Sequence, residues 1–191
     1  MKLTIFLAGV ALLSASAQPA PMKPDATSAS AAKPSRALGA TEAAPVPLQA
    51  IQGLETEMDS RIARTGAKTT PCNVLANTRG LYISGLGAVF SAEVELAPTP
   101  GGIGIFQTNV GPQQKAKYRG DKQANIPLLE KTLTDMVLVL ANSPVLKLGD
   151  HDQVVVAARL FYRSWEDVTG LPGQIVAHLD RRGGTVKMEI Q

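Results

Sequence analysis

An aromatic and acidic cluster in LFYRSWEDVTGLPGQIV, residues 160–176, contains the side chains of this chain best suited to hold a ligand. Tyr162 and Trp165 offer flat apolar rings in a sequence that is only 4% aromatic. Glu166 and Asp167 follow at once, and their carboxylates can accept hydrogen bonds from a polar ligand. These four residues are therefore the candidate ligand-binding site, and no catalytic residue is assigned.

The same stretch is also typical of a core strand that ends in a turn. On this interpretation Phe161 and Trp165 close the core at the strand end, while Glu166 and Asp167 lie in solvent before a turn at 169–173. Adjacent carboxylates on an extended chain point in different directions, so they do not form the converging pair that acid–base catalysis requires. The pattern favours this structural role, and a ligand site at the strand end stays open.

Cys72 is the only cysteine, so no internal disulfide is possible. In TPCNVLAN it is predicted to be a small buried apolar residue, although a free cysteine in an exported protein can also act as a nucleophile. His151 and His178 stand near Asp152 and Asp180, and such side chains can ligate a metal, but nothing in the sequence fixes their spacing. Neither a metal nor a cofactor is expected.

The first residues, MKLTIFLAGVALLSASA, have the pattern of a secretory signal peptide over residues 1–17. A lysine precedes a short apolar run, and Ala15-Ser16-Ala17 is a small-residue cleavage site, which predicts a mature chain that begins at Gln18. The apolar run is shorter than the roughly 20 residues that span a bilayer. We expect a soluble periplasmic or secreted protein with no integral membrane segment after cleavage.

Residues 18–47 are rich in Ala, Pro, Ser and Thr and contain almost no large apolar side chain. Such a segment cannot offset the entropy of ordering itself, which predicts a disordered leader. Residues 48–191 have the length of one domain with its own core. The formal net charge of +3, about +2 without Lys2, indicates no nucleic-acid partner.

Apolar periodicity predicts the elements of the domain. Residues 48–64 repeat apolar side chains at helical spacing, and residues 74–83 and 88–96 form a hairpin around the glycines of SGLG. A long glycine-rich stretch follows, with a short strand predicted at 103–107. KAKYRGDK, residues 115–122, is predicted to be a solvated loop before a helix.

That second helix is predicted over residues 125–141, with Pro127 in its first turn. DQVVVAARLFYRSW, residues 152–165, is interpreted as a central strand, although a helix over the same residues remains an alternative. QIVAHLD and TVKMEI then predict a closing hairpin. The fold class is an α/β domain of the α+β type, with helices on one face of a mixed sheet.

GLYISGLGAVFSAEVEL and LFYRSWEDVTGLPGQIV together resemble a group of exported bacterial proteins of unassigned function. The resemblance covers the first hairpin and the region from SWED to GLP. It implies a bacterial envelope address and no particular activity. The sequence therefore predicts a non-enzymatic binding or accessory module whose partner is an envelope component or a small ligand. The alternative is an envelope hydrolase that uses Cys72 or the histidine and aspartate side chains.

Overall fold

The computed structural model describes residues 46–66, 68, 70–98 and 110–191. Two helices and five strands follow one another in the order α1 (Leu48–Arg64), β1 (Asn73–Ile83), β2 (Gly87–Glu95), α2 (Pro112–Ala141), β3 (Gln153–Leu160), β4 (Gln174–Asp180) and β5 (Val186–Ile190). The predicted signal peptide, the leader up to residue 45 and the predicted short strand at 103–107 lie outside the described residues.

The five strands form one mixed sheet in the order β1-β2-β3-β4-β5. Neighbouring strands are antiparallel except β2 and β3, which are parallel and are connected through α2. Parallel neighbours need such a crossover, because their ends lie too far apart for a tight turn. Both helices pack on one face of the sheet, so the prediction of a single α+β domain is confirmed.

The core lies between that face and the two helices. Every second residue of the central strands is buried there, as the period of two in a strand requires. The core-facing strand residues are Ala88, Phe90, Ala92, Val94, Val154, Val156, Ala158, Leu160, Ile175, Ala177 and Leu179. The helices contribute Ile51, Met58, Ile62, Leu129, Leu133, Met136, Val137 and Leu140. The buried side of each helix and the buried face of the sheet therefore pack together in one apolar layer.

Helix α1 also covers the free edge of the sheet at β1. Asp59 accepts hydrogen bonds from the backbone N–H and the hydroxyl of Thr78, at 2.8 and 2.6 Å from one carboxylate oxygen. Glu55 accepts a hydrogen bond of 2.7 Å from the backbone N–H of Gly80. An edge strand otherwise offers such N–H groups to a foreign strand, so these two carboxylates protect part of this edge.

Strand β3 and the strands that follow it agree with their predictions. Residues 153–160 are a strand with alternating burial, which excludes the helical alternative. The closing hairpin of β4 and β5 is also confirmed, with Val176 paired to Glu189 and His178 paired to Lys187.

The prediction for the start of α2 is wrong. The helix begins at Pro112 and not near residue 125, so KAKYRGDK is helical and Pro127 lies inside the helix. Tyr118 and Lys122 are buried and therefore do not belong to a solvated loop. Pro112 occupies the first helical position, where a missing N–H costs nothing because the first N–H groups of a helix have no partner in the helix.

Gly87 fixes the start of the parallel pair β2–β3. Its φ is +120°, and a Cβ atom placed there would lie 1.9 Å from the carbonyl oxygen of Gln153. Gly87 pairs directly with Gln153 in the sheet. Any side chain at this position would therefore push the two strands apart.

We expect Gly87→Ala to lower the free energy of unfolding by at least about 2 kcal/mol, because it combines backbone strain with a steric clash. Gly53→Ala is the matched control, since Gly53 lies in α1 and a Cβ added there would meet open space. That variant should gain about 0.5–1 kcal/mol from helix propensity. Urea denaturation of both variants measures the difference, and equal stabilities would contradict the close approach of β2 and β3.

Candidate functional site

A buried ion pair connects α2 to the loop of residues 161–173, called here the 161–173 loop. The Lys122 ammonium nitrogen lies 2.8 and 2.7 Å from the two carboxylate oxygens of Glu166. The two side chains are only 1% and 6% exposed. Glu166 also accepts a 2.9 Å hydrogen bond from the backbone N–H of Arg163, so the same carboxylate shapes the loop from within.

Tyr162 completes the surroundings of the Lys122 ammonium. The ammonium nitrogen lies 5.0 Å from the centre of the Tyr162 ring, within the range of a cation–π contact. The Tyr162 hydroxyl donates a 2.7 Å hydrogen bond to the carbonyl oxygen of Pro172. Burial, with a contribution from the Glu166 charge, raises the pKa of Tyr162 to about 12. The hydroxyl therefore keeps its proton at neutral pH and acts as a structural donor.

Arg119 holds the outer part of the loop. Its guanidinium donates hydrogen bonds to the carbonyl oxygens of Asp167 and Thr169, and it lies 2.9 Å from the Asp167 carboxylate. The hydrogen bond from Thr169 to the carboxylate, together with the Arg119 charge, holds the pKa of Asp167 below its usual range. Arg119 is thus engaged within the protein, and it fixes the loop by a forked contact that lysine cannot make.

A third charged contact fixes the loop to the sheet. Arg163 lies 3.3 Å from a carboxylate oxygen of Glu95, whose side chain is buried at the end of β2. The Arg163 guanidinium also lies 5.2 Å from the centre of the Phe161 ring. The 161–173 loop is therefore held by arginine and lysine contacts at its start, its middle and its outer turn.

A cleft of about 330 Å³ lies between α2 and this loop. It is lined by Lys115, Ala116, Arg119, Trp165, Glu166 and Asp167. The Trp165 ring is partly exposed and packs at a tilt against Tyr118, with 5.8 Å between the ring centres. Lys115 is exposed and makes no ion pair within the described part of the chain. The cleft thus offers one aromatic surface and one unpaired positive charge.

The four predicted ligand-binding residues occupy different positions around this cleft. Trp165, Glu166 and Asp167 line it, whereas Tyr162 contacts Lys122 behind the lining. The expectation that both carboxylates lie in solvent is wrong for Glu166, because its carboxylate is buried in an ion pair with Lys122. Asp167 is 69% exposed, and its carboxylate contacts Arg119, whereas that of Glu166 contacts Lys122. The two adjacent carboxylates therefore pair with different cations of α2.

Sequence reasoning missed the half of the cleft that α2 provides. Lys115, Ala116, Arg119 and Lys122 were expected in a loop, where their side chains have no fixed positions. A usable signal was present, since Tyr118, Lys122, Asn125 and Leu129 follow one another at helical spacing. The helical pattern is hard to recognise because two of its buried positions carry polar residues, a lysine and an asparagine.

Cys72 lies apart from both histidines of the described part of the chain. Burial raises the pKa of its thiol to about 12, and the sulfur donates a 3.5 Å hydrogen bond to the carbonyl oxygen of Leu96. His178 lies on β4 between two core-facing residues and so points to the opposite face of the sheet. His151 precedes β3 at the other end of the sheet from Cys72. The structure does not bring these three residues together.

The described residues contain neither a metal-binding cluster nor a helix that could span a membrane. Within residues 46–66, 68, 70–98 and 110–191, no three histidine, cysteine, aspartate or glutamate side chains are grouped so that they could hold a metal ion. Neither α1 nor α2, the helices of that part of the chain, is long and apolar enough to cross a membrane.

Comparisons with protein-family models, with curated proteins and with solved structures found no match for this chain. The cleft and its neighbouring side chains are therefore the observations that bear on function.

We expect Lys122→Met to lower the free energy of unfolding by about 3 kcal/mol or more, because it leaves the Glu166 carboxylate buried without a counter-charge. The double variant Lys122→Met/Glu166→Gln should recover most of this loss, since it removes both charges and keeps an acceptor for the Arg163 N–H. Lys131→Met is the control, because Lys131 forms an exposed pair with Asp135, and it should cost under about 1 kcal/mol. Denaturation curves that show no recovery in the double variant would contradict the coupling of Lys122 to Glu166.

Proposed function

We propose that this protein is an exported, non-enzymatic binding module, and that its ligand enters the cleft between α2 and the 161–173 loop. One observation carries the proposal: the charged groups behind and beside the cleft are paired with one another, while Trp165 and Lys115 remain available at its surface. Acidic and basic side chains that are paired with one another are not free to exchange protons with a substrate. Such a site is suited to recognition and not to proton transfer.

The periplasmic or secreted location is part of the same proposal. Its support is the apolar run and the small-residue cleavage site in residues 1–17. The resemblance of residues 80–96 and 160–176 to exported bacterial proteins supports the same location. An envelope component or a small molecule from that compartment is the expected partner.

The lining of the cleft indicates the chemistry of the ligand. The partly exposed Trp165 ring suits a flat apolar group, and the ammonium of Lys115 suits a carboxylate or another anionic oxygen. The volume of about 330 Å³ is at the small end for a ligand pocket, so a single ring with one anionic substituent fits its size. We infer that the module binds small aromatic carboxylates or an equivalent group on a larger partner.

Trp165 is the only tryptophan of the chain, so its fluorescence reports directly on the cleft. Titration with benzoate should change the emission in a saturable way, whereas benzylamine, of similar size and opposite charge, should not. Lys115→Glu should weaken benzoate binding roughly tenfold, because an attractive charge becomes a repulsive one. Lys131→Glu is the control on the same helix, and it should leave the affinity unchanged.

Equal responses to benzoate and benzylamine, or an affinity that Lys115→Glu leaves unchanged, would contradict this ligand class. The absence of any saturable response to aromatic anions would contradict the proposed use of the cleft.

The alternative function, a hydrolase that uses Cys72, makes a different demand on the thiol. A nucleophilic cysteine is ionised and accessible at neutral pH, whereas Cys72 is buried with a raised pKa. We expect iodoacetamide at pH 8 to alkylate native Cys72 at least about a hundredfold more slowly than the same residue in urea. Intact mass measured over time gives both rates, and fast alkylation of the folded protein would favour the hydrolase.

A further inference from the structure

The two edges of the sheet differ in how they are protected. At β1 the outward N–H groups of Thr78 and Gly80 are bonded to Asp59 and Glu55 of α1. At β5, the strand Val186–Ile190, no side chain of the described residues bonds to the outward backbone groups. One edge is therefore protected in part from within the chain, and the other has no such protection.

The backbone groups of β5 that face outward follow from its pairing with β4. Gln191 and Gln174 exchange two backbone hydrogen bonds of 3.1 Å, which identifies a hydrogen-bonded pair at the end of the ladder. These pairs alternate along an antiparallel ladder, so Glu189 and Lys187 also direct their backbone groups toward β4. Val186, Met188 and Ile190 consequently direct their N–H and C=O groups outward.

This sequence is complementary to itself in the antiparallel direction. If the two-fold axis passes through Met188, each Lys187 lies opposite Glu189 of the second copy, and each Val186 lies opposite Ile190. Met188 would pair with itself, and all three outward residues would exchange backbone hydrogen bonds with the second strand. The Lys187 and Glu189 pairs would fall at the narrow, non-hydrogen-bonded positions, where opposed side chains are closest.

The side chains of β5 suit such an arrangement. Lys187 and Glu189 are exposed and lie on the face of the sheet away from the helices. On the helix face Ile190 is 52% exposed, and Val186 is only half-buried. Pairing with a second strand would cover these two apolar side chains against each other.

We propose that two copies of this chain associate through β5 and continue the sheet across a two-fold axis at Met188. A second copy of the chain is the expected partner of this edge. The charges, the apolar residues and the hydrogen-bonding positions of the two strands all match under the same two-fold axis. The interface is a single short strand, which is small for a stable complex. We therefore expect a weak dimer that forms at high protein concentration. The proposal concerns a surface separate from the cleft and does not depend on the ligand.

Charge reversal tests the register. Lys187→Glu places like charges at both symmetry-related contacts, and so does Glu189→Lys; each variant should weaken dimerisation roughly tenfold or more. An equimolar mixture of the two variants restores opposite charges at every contact and should form the heterodimer. The double variant Lys187→Glu/Glu189→Lys should dimerise like the parent. Lys131→Glu, on α2, is the control that should leave the parent dimer unchanged.

Sedimentation equilibrium of the purified protein measures these states over a range of concentrations. The proposal requires the parent mass to rise toward that of a dimer and requires the mixture to associate more strongly than either single variant. A parent that remains monomeric up to about 1 mM would overturn it. A dimer that is indifferent to all of these charge changes would place the interface elsewhere and would overturn it as well. Far-ultraviolet circular dichroism establishes that each variant is folded before its mass is interpreted.

Discussion

The ion pair between Lys122 and Glu166 is the contact on which the region around the cleft depends. Burying an ammonium and a carboxylate is costly, and the cost is offset only when both are held close together with their remaining hydrogen bonds made. Lys122 therefore sets where the 161–173 loop lies against α2, and Glu166 in turn sets the loop conformation through Arg163. The positions of Trp165 and Asp167 follow from this arrangement.

The same pairing is the reason why we propose recognition and not catalysis at the cleft. A general acid or base needs a pKa near the working pH and a proton that it can exchange with a substrate. Near the cleft, Glu166 is held by Lys122, and the hydrogen bonds from Thr169, together with the Arg119 charge, lower the pKa of Asp167. The Tyr162 hydroxyl is committed to the carbonyl oxygen of Pro172. These groups stabilise the loop, and the groups left to meet a ligand are an indole ring and a surface ammonium.

Most elements of the fold are predictable from the sequence because apolar side chains follow one period in each of them. Helix α1 repeats its buried residues at helical spacing, and β2 and β3 alternate buried and exposed side chains. The first half of α2 breaks this rule, since its buried positions include Lys122 and Asn125. Asn125 donates hydrogen bonds to the carbonyl oxygens of Thr70 and Leu96, which lie far away in the sequence.

Burial of such polar residues depends on partners that local sequence does not reveal. For this reason the loop half of the cleft could be predicted from its aromatic and acidic composition, and the helical half could not. Residue type alone also did not separate Glu166 from Asp167, because their different positions depend on Lys122 and Arg119 across the cleft.

The contacts of α1 with β1 give the first helix of the domain a protective role. β1 carries several exposed apolar side chains, among them Leu81 and Ile83. If α1 were removed by proteolytic trimming or detached by local unfolding, Asp59 and Glu55 would release the backbone groups of β1 beside these apolar residues. An unprotected edge of this composition is a template for intermolecular β-pairing. Loss of α1 is therefore expected to favour aggregation through this edge, apart from any effect of the helix on the core.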